Sequence, residues 1–177
     1  MPVLIAAVAI TALLCLVDLL LTFGVIRRLR EHNALLSAAH GEDVAVIGLA
    51  SGQRAEPFTA TTTDGALVSG PAGLHMVAFF SPRCSICPKR VPAFTEYLRA
   101  NRVRRDDVLV VIGESAEPVP YLAELTAVAQ VCTEAGDGPL GKAFGVAGFP
   151  AFCLLDADGA VRATGFDPAE LPAPVPV

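Results

Sequence analysis

The passage from residue 74 to residue 101 most limits what this chain can fold into: an apolar run, a turn and a helical pattern in succession. Leu74, Met76, Val77, Ala78, Phe79 and Phe80 make a run of strand length, interrupted only by His75 and bounded by Gly73 and Ser81-Pro82. Such a run, without polar alternation, predicts a strand buried on both faces, as in a central parallel position. Residues 84–101 then have helical composition, with Val91, Phe94, Tyr97 and Leu98 on one apolar face. Pro92 falls inside that pattern and predicts a kink. Residues 108–112 read as a second buried strand, closed by Gly113-Glu114-Ser115. Strand, helix and strand therefore make one parallel unit with a right-handed crossover.

Around this unit the pattern continues. Residues 57–69 read as a hairpin turning at Asp64-Gly65. Downstream come a helix over 119–125, a strand over 128–132, a short helix over 140–144, and a strand over 149–155 that turns at 156–159 and returns over 160–165. Strands alternating with helices and closing on a hairpin predict an α/β domain over residues 51–170, a mixed sheet flanked by helices. Residues 171–177 carry three prolines and are expected to form a disordered tail.

The N-terminal part has a different character. Of the 177 residues 53% are hydrophobic, and much of that excess lies in residues 2–26, where Asp18 is the one charge. As a helix this stretch is about 37 Å long, enough to cross a hydrocarbon core of about 30 Å. It is expected to be a retained transmembrane anchor rather than a cleaved signal. The basic residues Arg27, Arg28 and Arg30 follow the apolar run instead of preceding it, and Ser37-Ala38-Ala39 lie too far beyond it to serve as a cleavage site. Residues 27–50 are expected to form a juxtamembrane helix and linker. The net charge is −5, and the arginines at 99, 102, 104 and 105 are offset by Asp106 and Asp107. A nucleic-acid partner is therefore not expected.

Where the buried strand meets the helix stand Cys84-Ser85-Ile86-Cys87. The thiolate is the nucleophile in disulfide exchange, and an ordinary cysteine thiol, with a pKa of about 8.5, is mostly protonated at neutral pH. A helix N-terminus favours the anion, so Cys84 is the candidate nucleophile, with Arg83, Lys89 and Arg90 as nearby positive charge. Cys87, one turn on, is the candidate resolving thiol. A zinc site lacks a second ligand pair: Cys132 and Cys153 are isolated, and His32, His40 and His75 form no ligand pattern. No metal or other cofactor is implied. Cys132 and Cys153 read as small buried hydrophobes, with an auxiliary redox role left open.

The segment Phe79-Phe80-Ser81-Pro82-Arg83-Cys84-Ser85-Ile86-Cys87 resembles the strand, C-x-x-C and helix core of TlpA-like thioredoxins. Pro92 matches the proline of their active-site helix, Gly148-Phe149-Pro150-Ala151-Phe152 the segment bearing their cis-proline, and Glu56-Pro57-Phe58 with Asp64-Gly65 their N-terminal hairpin. The likeness spans residues 52–166 and is similar, within that family, to the anchored thioredoxins that assist methylamine dehydrogenase maturation. It implies a thioredoxin-like fold, a membrane-anchored thiol–disulfide oxidoreductase, and protein thiol or disulfide substrates bound beside Phe149 and Pro150. Two positions depart from the family's pattern. Ala78 stands where thioredoxin has a buried Asp, and Arg90 where many TlpA-like reductases have a Glu. The usual proton-handling carboxylates are thus missing, and Glu114 is the remaining acid in a nearby loop.

Rival functions fit less well. A thiol peroxidase of the peroxiredoxin kind is matched by Ser81 but not by Val77, and a copper chaperone would need a histidine downstream of His75. A non-catalytic recruitment module of the same fold stays open. For the membrane side, the arginines after the span place the domain in the cytoplasm by the positive-inside rule. Family resemblance and the persistence of disulfides outside the cytosol place it outside. The extracytoplasmic side is the expectation, with a membrane electron-transfer protein as donor; a thioredoxin system would serve inside.

Overall fold

The computed structural model describes residues 48–135 and 138–173. The chain divides into two units, Met1–Ala45 and Val46–Val177, and the described residues all belong to the second. The anchor expected over residues 2–26 lies outside them, as does the juxtamembrane segment up to residue 47. Among the described residues no helix is long and apolar enough to cross a membrane.

Strands β1 (Phe58–Thr61) and β2 (Leu67–Gly70) form the expected hairpin. β3 (Met76–Phe80) is buried at every position and leads through a turn to helix α1 (Cys87–Ala100), which returns the chain to β4 (Val108–Gly113). After α2 (Leu122–Thr126), β5 (Gln130–Glu134) and α3 (Pro139–Ala143), the hairpin β6 (Ala151–Leu155) and β7 (Val161–Gly165) completes the sheet. Its strand order is β5-β4-β3-β6-β7. β3 pairs parallel with β4, Phe79 opposite Val111, and antiparallel with β6, Val77 opposite Cys153. The sheet is therefore mixed, and β3 is its middle strand.

Successive side chains of a strand point to opposite faces, and β3 divides its residues accordingly. Met76, Ala78 and Phe80 join Val91, Phe94 and Leu98 of α1, together with Phe152 and Leu154. Val77 and Phe79 join Val68, Leu74, Leu140, Phe144 and Cys153 on the other face. Phe80, Phe94 and Phe152 meet with ring centroids 5.5–5.7 Å apart. Burying each such ring contributes about 1.5–3 kcal/mol, so this cluster pins α1 to the sheet.

Short extended segments cover both sheet edges. Thr63 donates to the Val131 carbonyl alongside β5, and Gly52 to the Val161 carbonyl alongside β7. A Cβ at Gly70 would lie 2.5 Å from the Phe58 ring and 2.9 Å from the Leu74 side chain, so any larger residue there displaces both.

Several boundaries differ from the sequence expectation. Helix α1 begins at Cys87, not at Cys84. Pro88 has no N–H to donate to the Cys84 carbonyl, so the helical ladder cannot start earlier; Cys87 N–H takes that carbonyl instead, at 3.2 Å. α1 then runs unbroken through Pro92. α2 starts at Leu122, three residues later than expected, because Pro118 and Pro120 hold the residues before them out of helical conformation. β5 begins at Gln130, since Val128 and Ala129 donate back to the Leu125 carbonyl and complete the turn out of α2. Leu171 does not belong to a loose tail. It packs in the α1-side core, and the next carbonyl, of Pro172, accepts from the Tyr97 hydroxyl at 2.7 Å.

Candidate active site

Cys84 sits in the turn that carries the chain from the C-terminal end of β3 into α1. Its N–H donates to the Ser81 carbonyl at 3.0 Å, which closes the turn. The Cys84 sulfur accepts the Cys87 N–H at 3.2 Å, so the first amide of the helix points at this sulfur. On its other side the Cys84 thiol lies 3.3 Å from the Phe149 carbonyl and donates to it. Cys84 is half-buried, whereas Cys87 is fully buried in the core beneath α1. Burial pushes the Cys87 thiol up to about 12, reinforced by its hydrogen bond with Cys84. The pair is therefore asymmetric: an accessible outer thiol, and an inner one held protonated.

Residues far apart in sequence meet here. The Phe149–Pro150 peptide is cis, as the resemblance implies, and Phe149 is partly exposed beside Cys84 while Pro150 is buried. Ile86, 52% exposed, stands on the Cys84 turn itself, and Phe166 packs against Gly148 in the cis-proline loop. The cysteine turn and the cis-proline loop thus each carry exposed apolar side chains, Ile86 on the one and Phe149 on the other. Behind Phe149, at the C-terminal end of β4, opens a cavity of about 480 Å³ lined by Val111, Gly113, Glu134, Gly141 and Val146.

The charged residues divide differently from the sequence expectation. Arg83 and Lys89 are exposed. Arg90 is tied to Asp167, 2.5 Å away, so much of its charge is spent on that pair. Ala78 is fully buried between Val110 and Phe152 in the sheet, with no carboxylate in its place. Glu114 is exposed, and Glu134, near the cavity, accepts the N–H groups of Leu140 and Gly141. His75 is structural: its N–H donates to the Asp107 carbonyl at 2.7 Å and its ring faces that residue's carboxylate.

Cys132 and Cys153 are free and buried on β5 and β6. Two strands separate them in the sheet, roughly 14 Å at the usual strand spacing, well beyond disulfide reach. Burial raises both thiols to about 12. Among the described residues no cluster of ligating side chains is placed to hold a metal ion.

Sequence reading missed Tyr121. It packs in the same core as Cys87, against Phe80 at 6.0 Å between ring centroids, and its hydroxyl is buried without a hydrogen-bond partner. The available signal was an aromatic with a polar tip just after Pro118 and Pro120, with nothing local to say where it points.

A five-stranded mixed sheet with a strand–cysteine turn–helix unit and an adjoining cis-proline loop defines the thioredoxin fold. The thioredoxin domain of a thiol–disulfide oxidoreductase from Bacteroides vulgatus superposes with a TM-score of 0.55 at 23% identity, covering 66% of this chain and 88% of that one. No family model matches the chain. Two relatives do, both named methylamine utilization protein MauD. That of Methylobacillus flagellatus is 30% identical over 156 residues, 82% of this chain and 71% of the relative. That of Methylorubrum extorquens is 30% identical over 158 residues, with the same coverage of 82% and 71%. The chain belongs to the MauD family of thioredoxin-fold proteins.

Proposed function

We propose that this protein is a membrane-anchored thiol–disulfide oxidoreductase that exchanges disulfides with protein substrates through Cys84 and Cys87. The observation that carries the reading is the Cys84 sulfur, half-buried between the Cys87 amide and the Phe149 carbonyl beside cis-Pro150. In the reducing direction the Cys84 thiolate attacks one sulfur of a substrate disulfide. A Cys84–substrate bond forms and the other substrate sulfur leaves as a thiolate. Cys87, deprotonated, then attacks the Cys84 sulfur, closing the Cys84–Cys87 disulfide and releasing the second substrate thiolate. Two electrons pass from the protein dithiol to the substrate, and the same steps in reverse oxidise a substrate dithiol.

Phe149 and Pro150 have a part in this sequence. In the dithiol form the Phe149 carbonyl accepts from the Cys84 thiol. Once Cys84 is in a mixed disulfide that S–H is gone, and the carbonyl is free to accept a backbone N–H of an extended substrate segment. Phe149 and Ile86 supply apolar contact on either side.

The names of the relatives place them in methylamine utilization, and we take the substrate to be a disulfide-containing protein of that process. The catalytic domain works on the extracytoplasmic side, drawing electrons from a membrane transfer protein. A topology reporter fused to the C-terminus tests the side; activity of a cytoplasmic reporter would reverse it and make a thioredoxin system the donor. The decisive experiment traps mixed disulfides in the full-length Cys87→Ser protein. Covalent adducts that disappear in Cys84→Ser are expected, and an empty trap in both compartments overturns the proposal.

A further inference from the structure

Cys87 has to lose its proton to resolve the mixed disulfide, and its setting opposes that loss. It is fully buried, and the two carboxylates that would accept the proton are replaced by Ala78 and Arg90, the latter paired with Asp167. The groups that act on it are few. Burial and Cys84 hold the thiol protonated, and the Ser81 backbone alone works the other way.

Tyr121 enters the same core from the residues leading into α2. Its side chain is 7% exposed, yet its hydroxyl has no hydrogen-bond partner. A buried hydroxyl left unpaired carries a desolvation penalty, so a persistent one calls for a physical reason. Cys87 and the half-buried Cys84 both pack in the Tyr121 cluster. Burial raises the phenol's pKa to about 12, and negative charge on either sulfur adds to the rise, so the phenol keeps its proton when a thiolate forms. Glu124, the acid on α2, is exposed and faces Thr95 instead.

We propose that the Tyr121 hydroxyl is a positioning donor for the resolving step, unpaired in the dithiol and donating to the Cys87 sulfur as that sulfur ionises. This rests on the exchange reading above. Tyr121 keeps its own proton throughout. The Cys87 proton goes through solvent to the departing substrate thiolate, while the Cys84–Cys87 bond forms and the Cys84–substrate bond breaks. A neutral hydroxyl that takes no proton can still stabilise the thiolate, because a hydrogen bond to a charged acceptor is stronger than one between neutral groups.

Stopped-flow reaction of the reduced full chain with an equimolar aromatic disulfide, 5,5′-dithiobis(2-nitrobenzoate), separates the two steps. The first release of coloured thiolate reports attack by Cys84, and the second reports attack by Cys87 on the adduct. Tyr121→Phe keeps the ring and removes the donor. It is expected to slow the second phase about tenfold between pH 6 and 9 and to leave the first unchanged. The chain has 2 tyrosines, so in a Tyr97→Phe background fluorotyrosine can be placed at position 121 alone. A more acidic phenol is a better donor and should speed the second phase, whereas a role in packing predicts no change. Equal slowing of both phases, or no change in the second, overturns the inference. A wild-type protein without a second phase overturns the exchange reading and this inference together; a normal wild-type second phase left unmoved by Tyr121→Phe overturns this inference alone.

Discussion

The described residues contain two sets of cysteines that differ in where the fold places them. Cys84 and Cys87 stand where β3 gives way to α1; Cys132 and Cys153 lie inside β5 and β6. Within a strand the backbone N–H groups are already used in the ladder, the side chain points into a packed face, and nothing favours the thiolate. Past the end of a strand the chain turns, and an amide of the first helical turn can face a sulfur, as the Cys87 N–H, shared with the Cys84 carbonyl, faces the Cys84 sulfur. On the proposed function, reactivity comes from position in the fold, with the cysteine itself common to both sets.

The strongest way to break this contrast is substitution of each set in turn. Cys84→Ser should abolish turnover of a disulfide substrate, while Cys132→Ala and Cys153→Ala should retain it within about twofold. Loss of activity in either of the latter would give the interior cysteines a redox part. Thiol labelling sharpens the same point without mutation. In the native protein a small alkylating reagent should modify Cys84 at least about a thousandfold faster than Cys132 or Cys153, which become reactive only through opening of the sheet. Mass spectrometry of partially labelled protein measures the ratio.

Stability against pH compares the sets by a third route. Burial raises the folded-state thiols of Cys132 and Cys153 from 9.0 to about 12. The unfolded chain thus ionises first, and the stability these buried thiols contribute is complete below pH 9 and lost as pH rises toward 12. Denaturant unfolding of the reduced protein should show that decline, and it should be shallower in the Cys132→Ala, Cys153→Ala double variant. The same substitutions are expected to cost about 1 kcal/mol each at neutral pH, where a small buried group is removed from a tight core. Smallest of all is the effect of Arg90→Ala, which breaks a partly exposed ion pair with Asp167. Thermal unfolding should register less than about 1 kcal/mol, and less still at high salt.

Much of this molecule was legible as pattern. The period of the apolar residues marks β3 and α1, the turn residues mark both hairpins, and the spacing of Cys84 and Cys87 at a strand–helix junction marks the candidate site. These are short-range effects, decided by neighbours within a turn of helix or a step of strand, and so they are written locally. Even the helix start at Cys87 was written in Pro88, whose missing N–H stops the ladder there. Tertiary structure alone decided the rest. Phe149 reaches the Cys84 sulfur from 65 residues away, Asp167 takes the charge of Arg90, Leu171 enters the core, and the Tyr121 hydroxyl is enclosed without a partner in the core that also holds Cys87. None of these follows from local preference. Each depends on which elements the sheet order β5-β4-β3-β6-β7 brings together, and side chains a few ångströms apart in the fold carry no shared mark in the sequence.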